Sequence, residues 1–304
     1  MRAPRSTPAP IPGPFPGPIP GPIAGPFPGP IPGPLAALAL AFALACALVC
    51  APAPARSQAP PLTEVDVELL LAVDVSRSMT PAELEIQRRG YAAALGSDPV
   101  YAAIAQGLIG RVALAYVEWA GAASQTVIVP WTLIETRADA QAVAERLSAR
   151  FTTGMRRTSI SGLLTYGAEA FDLNEFNGLR KVIDVSGDGP NNMGAPVTAA
   201  RDAALARGIT INGLPLMTRD ALSARWGIPD LDIYYARCVI GGPGAFVIPV
   251  TSWDQFAAAV RRKLVLEIAG RAAAPAATLA RVASYDCQIG EKIWQRNNSD
   301  FLIP

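Results

Sequence analysis

Val67-Glu68-Leu69-Leu70-Leu71-Ala72-Val73-Asp74-Val75-Ser76-Arg77-Ser78 decides how the rest of the chain is read. Apolar residues at consecutive rather than alternate positions mark a strand covered on both faces, as in parallel sheets. Where the run stops, Asp74, Ser76 and Ser78 follow at a spacing of two, so an extended backbone points all three side chains the same way. One carboxylate and two hydroxyls are hard oxygen donors that suit Mg2+, Mn2+ or Ca2+ rather than zinc. Thr80-Pro81-Ala82-Glu83 then supplies an N-cap, a proline for the first helical position and a capping-box acid. The donors therefore belong to a strand-to-helix loop at the carboxyl edge of a sheet, where open α/β folds bind ligands.

Asp-x-Ser-x-Ser alone is a common string, and two further segments give it weight. Lys181-Val182-Ile183-Asp184-Val185-Ser186-Gly187-Asp188-Gly189 is a second strand ending in Asp-Gly. Between them, Arg156-Arg157-Thr158-Ser159-Ile160-Ser161-Gly162 opens a helix whose first residues carry hydroxyls. Three such loops can converge on one cation. With these residues in place, the chain from about 65 to 270 resembles the von Willebrand factor A domain and its metal-ion-dependent adhesion site. The resemblance implies a Rossmann-type α/β fold, with a doubly wound, mostly parallel sheet and one antiparallel edge strand. It also implies a divalent ion, Mg2+ or else Mn2+ or Ca2+, held by Asp74, Ser76 and Ser78 from the first loop, Thr158 from the second and Asp188 from the third. In that family the hydroxyls usually bind the ion directly and the aspartates often act through water. So few direct carboxylates leave the ion under-neutralised and attractive to an external carboxylate. Thr158 matches the pattern better than its neighbour Ser159. Tyr116-Val117-Glu118-Trp119, Asp184 to Asn192, Ile211-Asn212-Gly213-Leu214 and Val239 to Phe246 are closer still to a secreted bacterial family catalogued as domain of unknown function 1194.

The N-terminal part of the 304 residues reads differently. Residues 11–34 repeat x-Pro-Gly-Pro with a period of four, which excludes a collagen triple helix and marks residues 1–34 as a low-complexity extension or a misplaced start. Residues 35–50 are an uncharged apolar run of 16, short of the ~20 needed to span a bilayer and suited to a secretory signal peptide. Ala51-Pro52-Ala53-Pro54-Ala55 offers small-residue cleavage sites, so residues 35–55 are the expected export region. Cleavage after Ala55 removes Arg2 and Arg5 and takes the formal net charge from +1 to −1, with no basic tract for nucleic acid and no stable membrane span. A periplasmic or secreted location follows. There, Cys238 and Cys287 are an even pair in an oxidising compartment, either bridged or left as two thiols.

Within 65–270, strands are expected at 111–119, 125–134, 179–186, 209–216 and 245–250. Helices are expected at 81–95, 98–107, 136–150, 159–171, 196–207 and 252–268. Gly121-Ala122-Ala123-Ser124 is short enough for an antiparallel hairpin. Residues 60–64 read as a linker, and 231–235 as a short helix or a surface excursion. Residues 271–304 read as a linker and a polar tail, poorly ordered or docked through Cys287. Asp184 is expected to be satisfied by backbone amides, Glu118 by a salt bridge at the rim, and Trp131 and Trp253 to be core. Asn191 and Asn192 read first as turn formers.

The chain has no histidine, which removes Ser-His-Asp and Cys-His catalysis and every histidine zinc site. Gly241-Gly242-Pro243-Gly244 lacks the lysine of a phosphate loop, and Ser76 stands where a phosphatase of the dehalogenase type needs a second acid. The expectation is therefore not an enzyme but a binding module that captures an acidic group of a protein partner through a divalent cation. An accessory factor for assembly or metal handling of an envelope complex is the alternative, and a metal-assisted hydrolase the weaker one.

Overall fold

The computed structural model describes residues 61–148, 154–218, 226–271 and 285–299; the Pro-Gly repeat, the apolar run and the cleavage region lie outside the described residues. Along the chain the strands are β1 (Thr63–Val65), β2 (Val67–Asp74), β3 (Val112–Trp119), β4 (Gln125–Ile134), β5 (Phe176–Gly178), β6 (Lys181–Gly187) and β7 (Ile209–Pro215). The helices are α1 (Pro81–Leu95), α2 (Asp98–Ala105), α3 (Arg137–Ser148), α4 (Ile160–Ala170), α5 (Val197–Ala206), α6 (Leu231–Tyr234), α7 (Phe256–Ile268) and α8 (Ile289–Asn298).

Every residue of β2 is buried, which places it at the centre of a five-stranded sheet ordered β4-β3-β2-β6-β7. Val67, Leu69, Leu71 and Val73 join the core on one face, and Leu70 and Ala72 the core on the other. Helices α1, α2, α3 and α7 pack together over the first face, and α4, α5 and α6 cover the second. β3 and β6 flank β2 in parallel, β7 continues in parallel beyond β6, and β4 returns antiparallel along β3. The chain thus winds outward from β2 in both directions, and the carboxyl ends of β2 and β6 bound a switch-point crevice. β4 carries Pro130, which donates no amide bond and is tolerated on an edge; the register with β3 shifts around Tyr116 nearby.

The first helix is built as its sequence dictates. Thr80 caps α1, its Oγ1 accepting from the Glu83 amide at 3.3 Å while Glu83 accepts from the Thr80 amide at 2.7 Å.

Several expectations change. Residues 245–250 do not form a continuous strand; they run beside β7 and Leu216 with the isolated bridges Gly213–Val247 and Leu216–Val250, since Pro249 offers no amide to a ladder. Pairing begins earlier than expected, because β1 lies parallel to β5 in a separate two-stranded ribbon. The 285–299 segment, expected as a polar tail either poorly ordered or docked through Cys287, is docked and contains α8, and of the two states open to Cys238 and Cys287 the bridge is the one present, with Cα atoms 5.5 Å apart. Asp184 is met by Lys263 from α7 at 2.7 Å rather than by backbone amides. Glu118 pairs with Arg88 of α1, but the pair is buried and not at the rim. Trp131 and Trp253 are partly buried against the two cores.

Candidate metal centre

Asp74 is the last residue of β2, so its side chain leaves the sheet at the crevice. It is fully buried. Its Oδ1 accepts from the Ser76 amide at 2.7 Å, while Oδ2 has no hydrogen-bond partner among the described residues. Ser76 Oγ lies 2.9 Å from Ser78 Oγ, and Ser78 Oγ donates to Asp188 Oδ1 at 2.8 Å. Asp188 follows directly on β6, and Gly187 lets the two strand ends meet: a Cβ there would stand 3.0 Å from Asp74 Oδ2 and 2.8 Å from the Tyr235 hydroxyl. Burial, and then the neighbouring charge of Asp188, hold the Asp74 carboxyl well above the usual carboxylate range.

The second loop is pinned to the first. The Met155 amide donates to Val75 O at 2.8 Å, forming a single bridge between Ser76 and Met155. Arg157 adopts φ 76°, a left-handed conformation that costs energy for a side chain of its size. The next residue, Thr158, is tied to the third loop from both sides. Its amide donates to Asn192 Oδ1 at 3.0 Å, and its carbonyl accepts from the Asn192 amide at 2.9 Å. Ser159 serves elsewhere: it caps α4 by accepting from the Gly162 amide and donates to Met193 O. Of the adjacent hydroxyls, Thr158 lines the same cleft as Ser76 and Ser78.

The five residues singled out from sequence thus lie at one place, with Ser76, Ser78 and Asp188 in a hydrogen-bonded row, Asp74 beneath and Thr158 across the cleft. Among the described residues no three acids, cysteines or histidines cluster as a ligand set. The donor set here is two carboxylates and three hydroxyls, which suits a hard divalent cation. A buried carboxylate oxygen without a hydrogen-bond donor, next to a second acid, is the local chemistry such an ion would neutralise. The residues fit the group.

Supporting residues were not legible as such. Gln87 of α1 donates to Asp74 O at 3.1 Å, and Asn191 Oδ1 accepts from the Ser161 amide at 3.0 Å. The Tyr234 hydroxyl accepts from the Asn191 amide, and the buried Tyr235 ring lies below Gly187 and Gly213. Asn191 and Asn192 have a signal in the sequence, since adjacent asparagines offer paired side-chain amides. Gln87 and the tyrosines have none.

A family model described as Protein of unknown function (DUF1194) matches residues 64–272. No curated protein matches the sequence. Among solved structures, the chain is similar to proximal thread matrix protein 1 from the mussel byssus, at 14% identity over 70% of this chain and 49% of that one, with a TM-score of 0.50. It also matches the pilus adhesin SpaC from Lactobacillus rhamnosus GG, at 12% identity over 70% and 31% with a TM-score of 0.45. A third match is a von Willebrand factor type A structure from Catenulispora acidiphila, at 16% identity over 67% and 43% with a TM-score of 0.42. Another structure of the mussel protein is described with a zinc-occupied MIDAS motif, at a TM-score of 0.47. The match takes in about half the length of the mussel protein and less of the other two, and at 14% identity the likeness to the mussel protein is one of fold.

Proposed function

The chain belongs to the family of proteins of unknown function DUF1194 and has a von Willebrand factor A-like fold, and from that premise we propose that it is a metal-dependent binding module. Ser76, Ser78 and Thr158 would hold one divalent cation, Mg2+ or Mn2+ before Ca2+, with Asp74 and Asp188 steadying it through hydrogen bonds or water. When bound, the ion would supply a Lewis-acid position for a carboxylate of a protein partner. Around it, Asn192 and the Met155 bridge keep the second loop at the cleft, and Ser78 keeps Asp188 facing the hydroxyl row.

The observation that carries this reading is Asp74. Its buried carboxylate has one oxygen without a hydrogen-bond partner, and the charge of Asp188 beside it opposes ionisation. Leaving such a group without compensation costs several kcal/mol, on the order of ~1–3 kcal/mol for the hydrogen bonding alone. A cation held by the hydroxyl row would offset that cost.

Calorimetry with MgCl2 and MnCl2 tests the reading on wild-type and Asp188→Ala proteins. Uptake of one ion by the wild type and weakened uptake by the variant are expected. Identical uptake by both, or none by either, ends the proposal. Capture of partners should then disappear with chelator.

The same reading takes residues 65–270 as the binding domain, residues 1–34 as an extension and 35–55 as an export region cut near Arg56, with 271–304 as linker and tail. The protein would then work in the periplasm or outside the cell. No helix among the described residues is long and apolar enough to cross a membrane. N-terminal sequencing of exported material is expected to start near Arg56, and a start within the Pro-Gly repeat would overturn the assignment.

A further inference from the structure

The cleft over the hydroxyl row is walled on its far side by α8, which lies beyond the residues 64–272 that the family model matches. A cavity of about 330 Å³ is lined by Ser76, Ser78 and Thr158 on the metal side and by Arg157, Trp294 and Asn298 on the other. Trp294 and Asn298 belong to α8. Three contacts among the described residues hold this helix in place, two of them on the third loop. The Cys238–Cys287 bridge anchors the residues just before it. Asn191 Nδ2 donates to Glu291 Oε1 at 2.7 Å. Gly290 sits so close to Asn191 that a Cβ would stand 2.1 Å from its carbonyl oxygen. The wall is therefore a fixed part of the cleft.

Arg157 bridges the two sides. Its left-handed backbone conformation, one residue before Thr158, sends the side chain across the cleft, where Cζ lies 4.0 Å from the centre of the Trp294 ring, over its face. A guanidinium held on an indole face spends its π surface on the ring and keeps its N–H groups in the plane, where they form a fork matched to a carboxylate. Arg77 and Arg156 are exposed on the same cleft, and none of the three arginines has a carboxylate partner among the described residues. Three cationic side chains around a site proposed to hold a divalent ion give more positive charge than one ligand carboxylate can balance.

We infer that Arg157, stacked on Trp294, forms a second anion subsite beside the metal position, so that the ligand carries two acid groups: one for the ion and one for the guanidinium fork. This rests on the metal-binding reading above for the first group only. The shared chemistry is a pair of carboxylates a few bonds apart, which an acidic peptide segment or a free dicarboxylate can both supply.

The test uses purified, disulfide-intact protein with MgCl2 and titrates two blocked dipeptides, acetyl-Asp-Glu-amide and acetyl-Asp-Gln-amide, alongside succinate and acetate. The diacid peptide is expected to bind about tenfold more tightly than the monoacid one, the worth of one charge-assisted hydrogen-bonded pair. Arg157→Ala and Arg157→Lys should both bring the ratio close to one, because lysine keeps the charge and lacks the fork; Trp294→Leu should narrow it. A tenfold ratio confined to the peptides identifies a peptide ligand, and an equal ratio of succinate to acetate identifies a free dicarboxylate. Equal binding of both peptides by a wild type that takes up Mg2+ overturns the subsite and leaves the metal reading standing. Full preference in Arg157→Lys also overturns it, since charge alone would then explain the effect. If the preference persists in EDTA and is lost in Arg157→Ala, the subsite stands and the metal reading falls.

Discussion

Two pairs of buried acids lie in this fold, and the protein treats them differently. Asp184 of β6 faces Glu267 of α7, and Lys263 of the same helix reaches both: Nζ is 2.7 Å from Asp184 Oδ1 and pairs with Glu267 Oε1, which also accepts from Asn212 at 2.8 Å. Asp74 and Asp188 sit at the carboxyl edge, where Asp74 accepts from the Ser76 amide and has no lysine or arginine partner among the described residues. Both pairs pay for desolvation. In the first, the chain carries its own cation on a helix. In the second, hydroxyls are arranged where an external cation would be held. The contrast teaches that burial of acids does not by itself mark a site; buried acids that the protein leaves without a cation of their own are where an external one would be held.

The largest expected effect breaks the internal pair. Lys263→Met should destabilise the protein by about 3–5 kcal/mol, since two acids remain buried without their cation. Denaturant melts check this, alongside Asp74→Asn, which should leave metal-free stability within about 1 kcal/mol of wild type because a buried charge is removed and the Ser76 amide keeps its acceptor. Equal losses in the two variants would erase the distinction between the regions.

Acid–base behaviour sharpens it next. Burial, and then the charge of Asp184, push Glu267 from 4.5 up to about 7, against the pull of Lys263 and Asn212. Between those values the folded protein holds a proton that the unfolded chain has released. Stability from this group is therefore greatest below pH ~4.5, falls as pH rises towards ~7 and is level above, a change of at most about 3 kcal/mol. Comparison of wild type with Glu267→Gln across that window should show the slope flatten in the variant.

At the edge, the measurement is stabilisation by metal. With Mg2+ at a hundred times its dissociation constant, the wild type should gain about 2.7 kcal/mol. Asp188→Ala should lose most of that gain in thermal melts at the same concentration, while Lys263 variants that remain folded should keep it. The smallest effect is Ser76→Ala, which removes a neutral donor from the row and should weaken Mg2+ uptake about tenfold, or 1.4 kcal/mol, by calorimetry.

Much of this was legible in the sequence because it is local. Thr80, Pro81 and Glu83 specify the start of α1 within four residues. The continuous apolar run of β2 specifies a strand buried on both faces, and the oxygen donors at its end specify the kind of ion that suits them. Two misreadings came from the same local habit. Residues 245–250 have strand-like composition but run beside β7 with only isolated bridges. The stretch Ile289–Asn298 has the composition of a polar tail, yet it is a helix pressed against Asn191.

What the sequence by itself offered is the fold class and most of the strand-and-helix order, read from periodicity and capping within short stretches, with the five oxygen-bearing positions marked by the resemblance to the von Willebrand factor A domain. Tertiary structure alone decided which acids meet a cation and what closes the cleft. Lys263 meets Asp184 from 79 positions away, Cys287 meets Cys238 across 49, and Arg157 lies over Trp294 of α8. Charge pairing and stacking act through space over a few ångströms, and a linear pattern carries no record of which distant residues the packed sheet and helices bring within that range.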